Sequence, residues 1–233
     1  MKRSKSRFRP ATAIIWSPRS SSSERMHLPR GRFTDALIAL SAFVLIFAAL
    51  AFGLTRAVMA FGFSPVAFLN GWDSDPVRNW LSPLASAFLP YDLVSALFNG
   101  VLLLIAGRYV EKSIGPVGLG VLFVAGAYGG ALARLALTFS SPMPSGGVGP
   151  SLFAIIGAYF MLYGVPASLP VPRHLGRWAQ IGMLAFFWLL LQAAFAVAAQ
   201  QFEVSVSIVD PLGGLVAGML LAKPLLAWRW RKA

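Results

Sequence analysis

Hydrophobic and polar positions in this chain fall into blocks, not into alternating patterns. Long apolar runs are separated by short polar or Gly/Pro-rich segments. A run of ~20 mostly apolar residues is long enough to cross a bilayer as a helix. Six runs meet or approach that length: Asp35–Leu54, continuing through Val58 and Met59; Leu93–Tyr109; Val117–Leu137; Gly149–Val165; Trp178–Ala199; and Ile208–Leu226, interrupted early by Pro211. Short spans containing Gly and Pro are tolerated where other helices surround them. The pattern therefore predicts an all-α polytopic membrane protein, a bundle of six transmembrane helices. Between the first two runs, residues 62–92 mix Trp72, Trp80, Pro65, Pro76 and Pro83 with apolar positions. Aromatic residues beside a span end predict a segment lying at the membrane interface, and simple interfacial anchoring explains the tryptophans equally well.

Composition agrees. Of 233 residues, 57% are hydrophobic and 12% charged, against about 25% charged in soluble domains. The net charge of +12 raises the question of nucleic acid, which its distribution answers. Nine of the 20 basic residues lie in 1–32, which reads as a disordered basic cytoplasmic tail. Such a segment beside a span orients the protein and contacts anionic lipid headgroups. With that tail inside, 17 of the 20 basic residues fall on the cytoplasmic side, among them Arg108, Lys112, Arg173 and Arg177. Six spans with both termini cytoplasmic satisfy the positive-inside pattern, and 228–233 form a basic C-terminal tail; five spans would break it. An Arg- and Ser-rich N-terminus also suits a mitochondrial transit peptide. The chain thus reads as a bacterial inner-membrane protein or, alternatively, a mitochondrial inner-membrane one. Its expected partners are membrane lipids, not nucleic acid.

Candidate chemistry is sparse. There are no cysteines, hence no disulfides, thiol nucleophile or cysteine metal site. The two histidines, His27 and His174, and all five lysines sit in segments expected on the cytoplasmic side. A serine nucleophile needs a base within ~2.6–3.2 Å. Ser151 lies at the external end of the fourth run, a membrane thickness of ~30 Å from those bases. Paired carboxylates at Asp92 and Asp210 could split their pKa values, but Asp210 followed by Pro211 reads more simply as a helix cap. No histidine pair or acid cluster predicts a metal, and no cofactor is expected.

Three stretches occur in a fixed order. The first is Phe88-Leu-Pro90-Tyr-Asp92-Leu-Val-Ser95-Ala-Leu-Phe-Asn99 with Gly107, Glu111 and Gly115. The second is Gly146-Gly147-Val148-Gly149-Pro150-Ser151 running to Gly157-Ala158. The third is Asp210-Pro211-Leu-Gly213-Gly214 with Gly218. Together they resemble the rhomboid intramembrane serine proteases, over residues 33–227. The resemblance implies a six-helix rhomboid-like domain whose clients are transmembrane segments of other membrane proteins. It maps the family's G-x-S-G onto Gly147-Val148-Gly149-Pro150, so Gly149 stands at the serine position and Pro211 at the catalytic-histidine position. Ser95 and Asn99 fall where the family builds its oxyanion hole. Gly126, Gly130, Gly157, Gly213, Gly214 and Gly218 read as helix-packing residues, because small residues let membrane helices approach closely. The expectation is a catalytically inactive homologue that binds membrane clients. The alternatives are an active serine endopeptidase using Ser151, or a small transporter, which would show ionisable residues along its spans.

Overall fold

The computed structural model describes residues 29–73, 75–90, 92–165, 171–172, 174–199 and 209–231, without the side chains of 189 and 191–199. Most of the basic tail expected at 1–32, with His27, lies outside the described residues, as do Tyr91 and Arg173. The described chain is helical, with no strand beyond one isolated antiparallel bridge between Phe63 and Ser145. In order, the helices are α1 (Arg32–Ala51), α2 (Leu54–Phe61), α3 (Pro65–Asn70), α4 (Pro76–Ser86), α5 (Leu93–Leu137), α6 (Gly149–Tyr163), α7 (Arg177–Ala199) and α8 (Val209–Arg231). Among the described residues, α1, α5 and α8 are long and apolar enough to cross a membrane, and α6 is a shorter apolar helix.

The expected first span does not continue through Val58 and Met59. It stops at Ala51, and Gly53 turns the backbone with φ 78°, a conformation that favours glycine. The chain re-enters helix as α2, which buries Ala57 and Val58. The expected second and third spans meet without a loop. α5 is one run of 45 residues, broken at Gly115 (φ 81°, ψ 170°) just before Pro116. Gly115 takes the left-handed region and Pro116 can start a helix because its missing N–H is not needed there. Two arms result, up to Ile114 and from Pro116. At the other end of the chain, α8 runs past Leu226 to Arg231.

Residues 62–92 hold two short helices. Each is started by an acceptor side chain followed by proline at the first helical position: Ser64 before Pro65 and Asp75 before Pro76. The Ser64 hydroxyl accepts from the Ala67 N–H (3.4 Å) and the Asp75 carboxylate from the Arg78 N–H (3.0 Å), satisfying N–H groups that the helix itself leaves free. A ladder of rings then runs Phe63, Phe68, Trp72, Trp80 and Tyr128, with neighbouring centroids 5.1–6.2 Å apart. The Tyr128 hydroxyl donates to the Trp80 carbonyl (2.6 Å), tying this segment to α5.

The packed centre is the triangle of α5, α6 and α8, with Leu119, Leu122, Leu152, Ile155 and Ala158 fully buried. By contrast, Phe43, Phe47 and Leu50 on α1 and Leu97 and Val101 on α5 are exposed, as lipid-facing side chains are. Lipid tails are as apolar as Leu, so burial of apolar area does not drive these helices together; close packing and hydrogen bonds do.

Candidate functional site

The Gly-rich turn before α6 is held from two sides. Phe63 and Ser145 exchange backbone hydrogen bonds of 2.9 and 2.7 Å, and the Gly147 N–H donates to the Ser86 carbonyl (2.8 Å). Gly146 sits so close to the Leu89 carbonyl that a Cβ there would overlap it. Gly147 has φ 108° with open space where its side chain would be. α6 then begins at Gly149, with Pro150 in its first turn.

The two positions that the family resemblance maps onto a nucleophile and a base, Gly149 and Pro211, lie side by side. The nearest atom to a Cβ built on Gly149 is Cγ of Pro211, 4.0 Å away. The first turns of α6 and α8 thus converge there. Neither residue carries a group that can donate or accept a proton from its side chain.

Ser151 is fully buried. Its hydroxyl donates to the Phe123 carbonyl at 2.7 Å, so it ties α6 to the second arm of α5. Asp92 caps α5: its carboxylate oxygens accept from the Ser95 N–H and from the Ser95 hydroxyl, both at 2.7 Å. Ser95 is therefore engaged within its own turn and exposed. Asn99, one turn further, lines an apolar cavity of ≈ 310 Å³ between α1 and the first arm of α5, together with Ile38, Leu103, Phe88, Pro90 and Val148. Ser95 and Asn99 stay one turn apart on α5, Ser95 bound to Asp92 and Asn99 lining the same cavity as Val148, the residue that precedes Gly149.

Asp210 was expected to cap α8. Instead it lies inside the first turn, buried, with Oδ2 accepting from Arg134 Nη1 at 3.3 Å. Arg134 also donates to the Met143 carbonyl (2.8 Å). An arginine in the last turn of α5 supplied a better partner than the helix end. Asp92 and Asp210 thus have separate partners, which removes the paired-carboxylate reading. His174 is exposed in the turn before α7, and no group of three metal-ligating side chains occurs among the described residues.

The glycines explain the approach of the backbones. A Cβ on Gly214 would overlap the Pro150 carbonyl, on Gly218 the Ala154 carbonyl, and on Gly213 the Gly129 carbonyl. On Gly157 it would lie 2.7 Å from the Leu215 carbonyl, on Gly126 2.6 Å from the Ser151 Cα, and on Gly130 2.6 Å from the Pro150 Cβ. Five of the six lie on α6 or against it, and Gly213 brings α8 directly against the second arm of α5.

Glu111, quoted in the sequence pattern without a role, proves central at the opposite end of the first α5 arm. Oε1 accepts from the Phe33 N–H (3.0 Å), and Oε2 from the Thr34 N–H (2.8 Å) and the Thr34 hydroxyl (2.7 Å). A carboxylate from one helix caps another. Beside it Arg108 pairs with Asp35 at 2.7 Å, and Arg229 of α8 donates to the Glu111 and Lys112 carbonyls. The available signal was an acidic residue between two apolar runs with glycine four residues to either side.

These features define a helical integral membrane protein with a glycine-lined junction where α6 and α8 begin. A family model of the rhomboid domain matches residues 77–228. No curated protein matches the chain. The chain belongs to the rhomboid family.

Proposed function

We propose that this protein is a rhomboid scaffold without proteolytic chemistry, which holds transmembrane segments of other membrane proteins without cutting them. The observation that carries the reading is the juxtaposition of Gly149 and Pro211. Acyl transfer needs a nucleophile and a base within hydrogen-bond reach, and the two adjoining positions at this junction offer neither. The Ser151 alternative is disfavoured by its burial and its bond to Phe123. A transporter is disfavoured because the buried charges are engaged in ties between elements: Glu111 to α1 and Arg134 to Asp210.

In the same reading the chain crosses the membrane six times, through α1, the two arms of α5, α6, α7 and α8. Arg108, Lys112, Arg229 and Arg231 then share the side of the α1 N-terminus, the cytoplasmic side by the positive-inside rule. A bacterial inner membrane suits that topology.

The test uses the full chain reconstituted in vesicles with a panel of single-span proteins. Mass spectrometry reads cleavage, and energy transfer between labelled helices reads binding. Saturable binding with no cleavage is expected. Cleavage abolished by Ser151→Ala would sink the non-catalytic reading; absence of binding to every member of a broad panel would sink the client-holding one.

A further inference from the structure

We propose that the entry of α1 and the hinge of α5 together form a specific site for an anionic phospholipid. Its groove has a volume of ≈ 560 Å³ and is lined by Arg30, Arg32, Phe33, Ala36, Glu111 and Pro116. Its shape follows from Gly31. A Cβ on Gly31 would lie 2.7 Å from Arg108 Cγ and 2.9 Å from Glu111 Oε2. The backbone is therefore pressed against α5 at that residue, and the two arginines on either side of it stand exposed.

The charges at this end decide the kind of ligand. Glu111 lines the groove, but its carboxylate already accepts three hydrogen bonds from Phe33 and Thr34. Asp35 is taken by Arg108, and Arg229 is spent on the carbonyls that end the first α5 arm. Arg30 and Arg32 have no carboxylate partner among the described residues. Two free guanidiniums match a phosphate, whose planar bidentate recognition is an arginine speciality. Phe33, Ala36 and Pro116 continue the groove as an apolar wall toward the exposed α1 face of Phe43 and Phe47. A charged head joined to an apolar body fits that arrangement, and an anionic lipid supplies both. A free phosphate supplies only the head, and an acidic protein would leave the apolar wall uncovered. The lipid would bridge α1 to the α5 hinge at Gly115-Pro116, fastening α1 to the central helix it packs against.

The test uses the full chain in neutral detergent with phosphatidylglycerol carrying a photoactivatable acyl chain, and phosphatidylcholine carrying the same chain. Peptide mapping locates the adducts, which separates this groove from lipid gathered by the basic residues of 1–28. Labelling at Phe33–Ala36 and Pro116 is expected from phosphatidylglycerol and not from phosphatidylcholine. In Arg30→Gln/Arg32→Gln it should fall about tenfold or more, since each basic group near an anionic surface contributes roughly fivefold. Labelling elsewhere and the thermal midpoint should stay unchanged, because both arginines are exposed. Equal labelling by the two lipids, or labelling that survives the double substitution, overturns the site. Displacement of phosphatidylglycerol by millimolar inorganic phosphate assigns the arginines to a soluble phosphate and overturns the lipid.

Discussion

At Glu111, helix α5 holds α1 with one carboxylate that collects three hydrogen bonds. Beyond the hinge, at Gly126, Gly129 and Gly130, the same helix meets α6 and α8 with almost no side chain between the backbones. The first contact is polar and directional, and it concerns two helices. The second is steric and shared by three, and it surrounds the junction of Gly149 and Pro211. The start of α1 takes its acceptor from α5 at the buried Thr34, because a membrane supplies no water to buried donors. Nor does it reward apolar contact as such, so the centre relies on closeness of approach. The junction of Gly149 and Pro211 is thus held in place by close packing of the surrounding backbones.

If closeness is what holds the centre, filling it should have the largest effect. Gly218→Leu places a side chain on the Ala154 carbonyl. Overpacking costs about 1–3 kcal/mol where side chains can shift; a backbone carbonyl cannot, so a cost above ~3 kcal/mol is expected. The readout is recovery of monodisperse protein and its thermal midpoint in detergent. Gly100→Leu is the comparison, since a Cβ on Gly100 meets nothing within 4 Å. Equal behaviour of the two would show that helix propensity, not contact, sets the effect.

The Arg134–Asp210 pair crosses the same centre and tests whether polarity matters there too. Arg134→Met leaves Asp210 buried beside an apolar chain, and removal of one partner of a buried pair costs about 3–5 kcal/mol. Arg134→Met/Asp210→Leu removes both charges and should recover most of that loss. A double variant as unstable as the single would mean that the Met143 carbonyl bond, not the ion pair, is the important tie.

Glu111→Ala should rank next, at about 2–3 kcal/mol, because the Phe33 and Thr34 donors lose their acceptor. Glu111→Gln keeps one amide oxygen and should lose roughly half as much. Fraction folded across a mixed-micelle denaturation series separates them, and identical curves would remove the capping account.

The sequence pattern exposed these regions unequally. Apolar runs marked α1, both arms of α5 and α6 to within a few residues, because length and hydropathy are local properties. The early end of α1 at Ala51 was hidden, since Phe52-Gly53 is apolar and only the positive φ of Gly53 turns the chain. α5 appeared as two spans because Gly115-Pro116 reads as a break, whereas one residue suffices to bend it. The resemblance mapped Gly149 and Pro211 onto the paired positions, and the structure brings the starts of α6 and α8 together at those two residues. The ties made by Asp210 and Glu111 were not legible. Each depends on a partner, Arg134 or Thr34, 76 or 77 residues away in the chain, and one sequence carries no record of such pairings.

The smallest effect is the most telling about chemistry. Ser151→Ala removes one hydroxyl and its bond to the Phe123 carbonyl, which lies within α5 and keeps its place in the helix ladder. A neutral hydrogen bond of this kind contributes about 1 kcal/mol, so the thermal midpoint should fall slightly, and client binding should not change. Reaction with a fluorophosphonate should be absent before and after, because the hydroxyl is fully buried and its proton is committed to a carbonyl. Gly149→Ser/Pro211→His supplies the contrast. It places a hydroxyl and an imidazole where the first turns of α6 and α8 converge, with open space at the neighbouring Gly147. Labelling of that variant alone would show that the junction retains the geometry for acyl transfer and lacks only the groups. Labelling of the unaltered protein, lost in Ser151→Ala, would instead make the buried serine a nucleophile, and α6 would then have to withdraw from α5 to expose it.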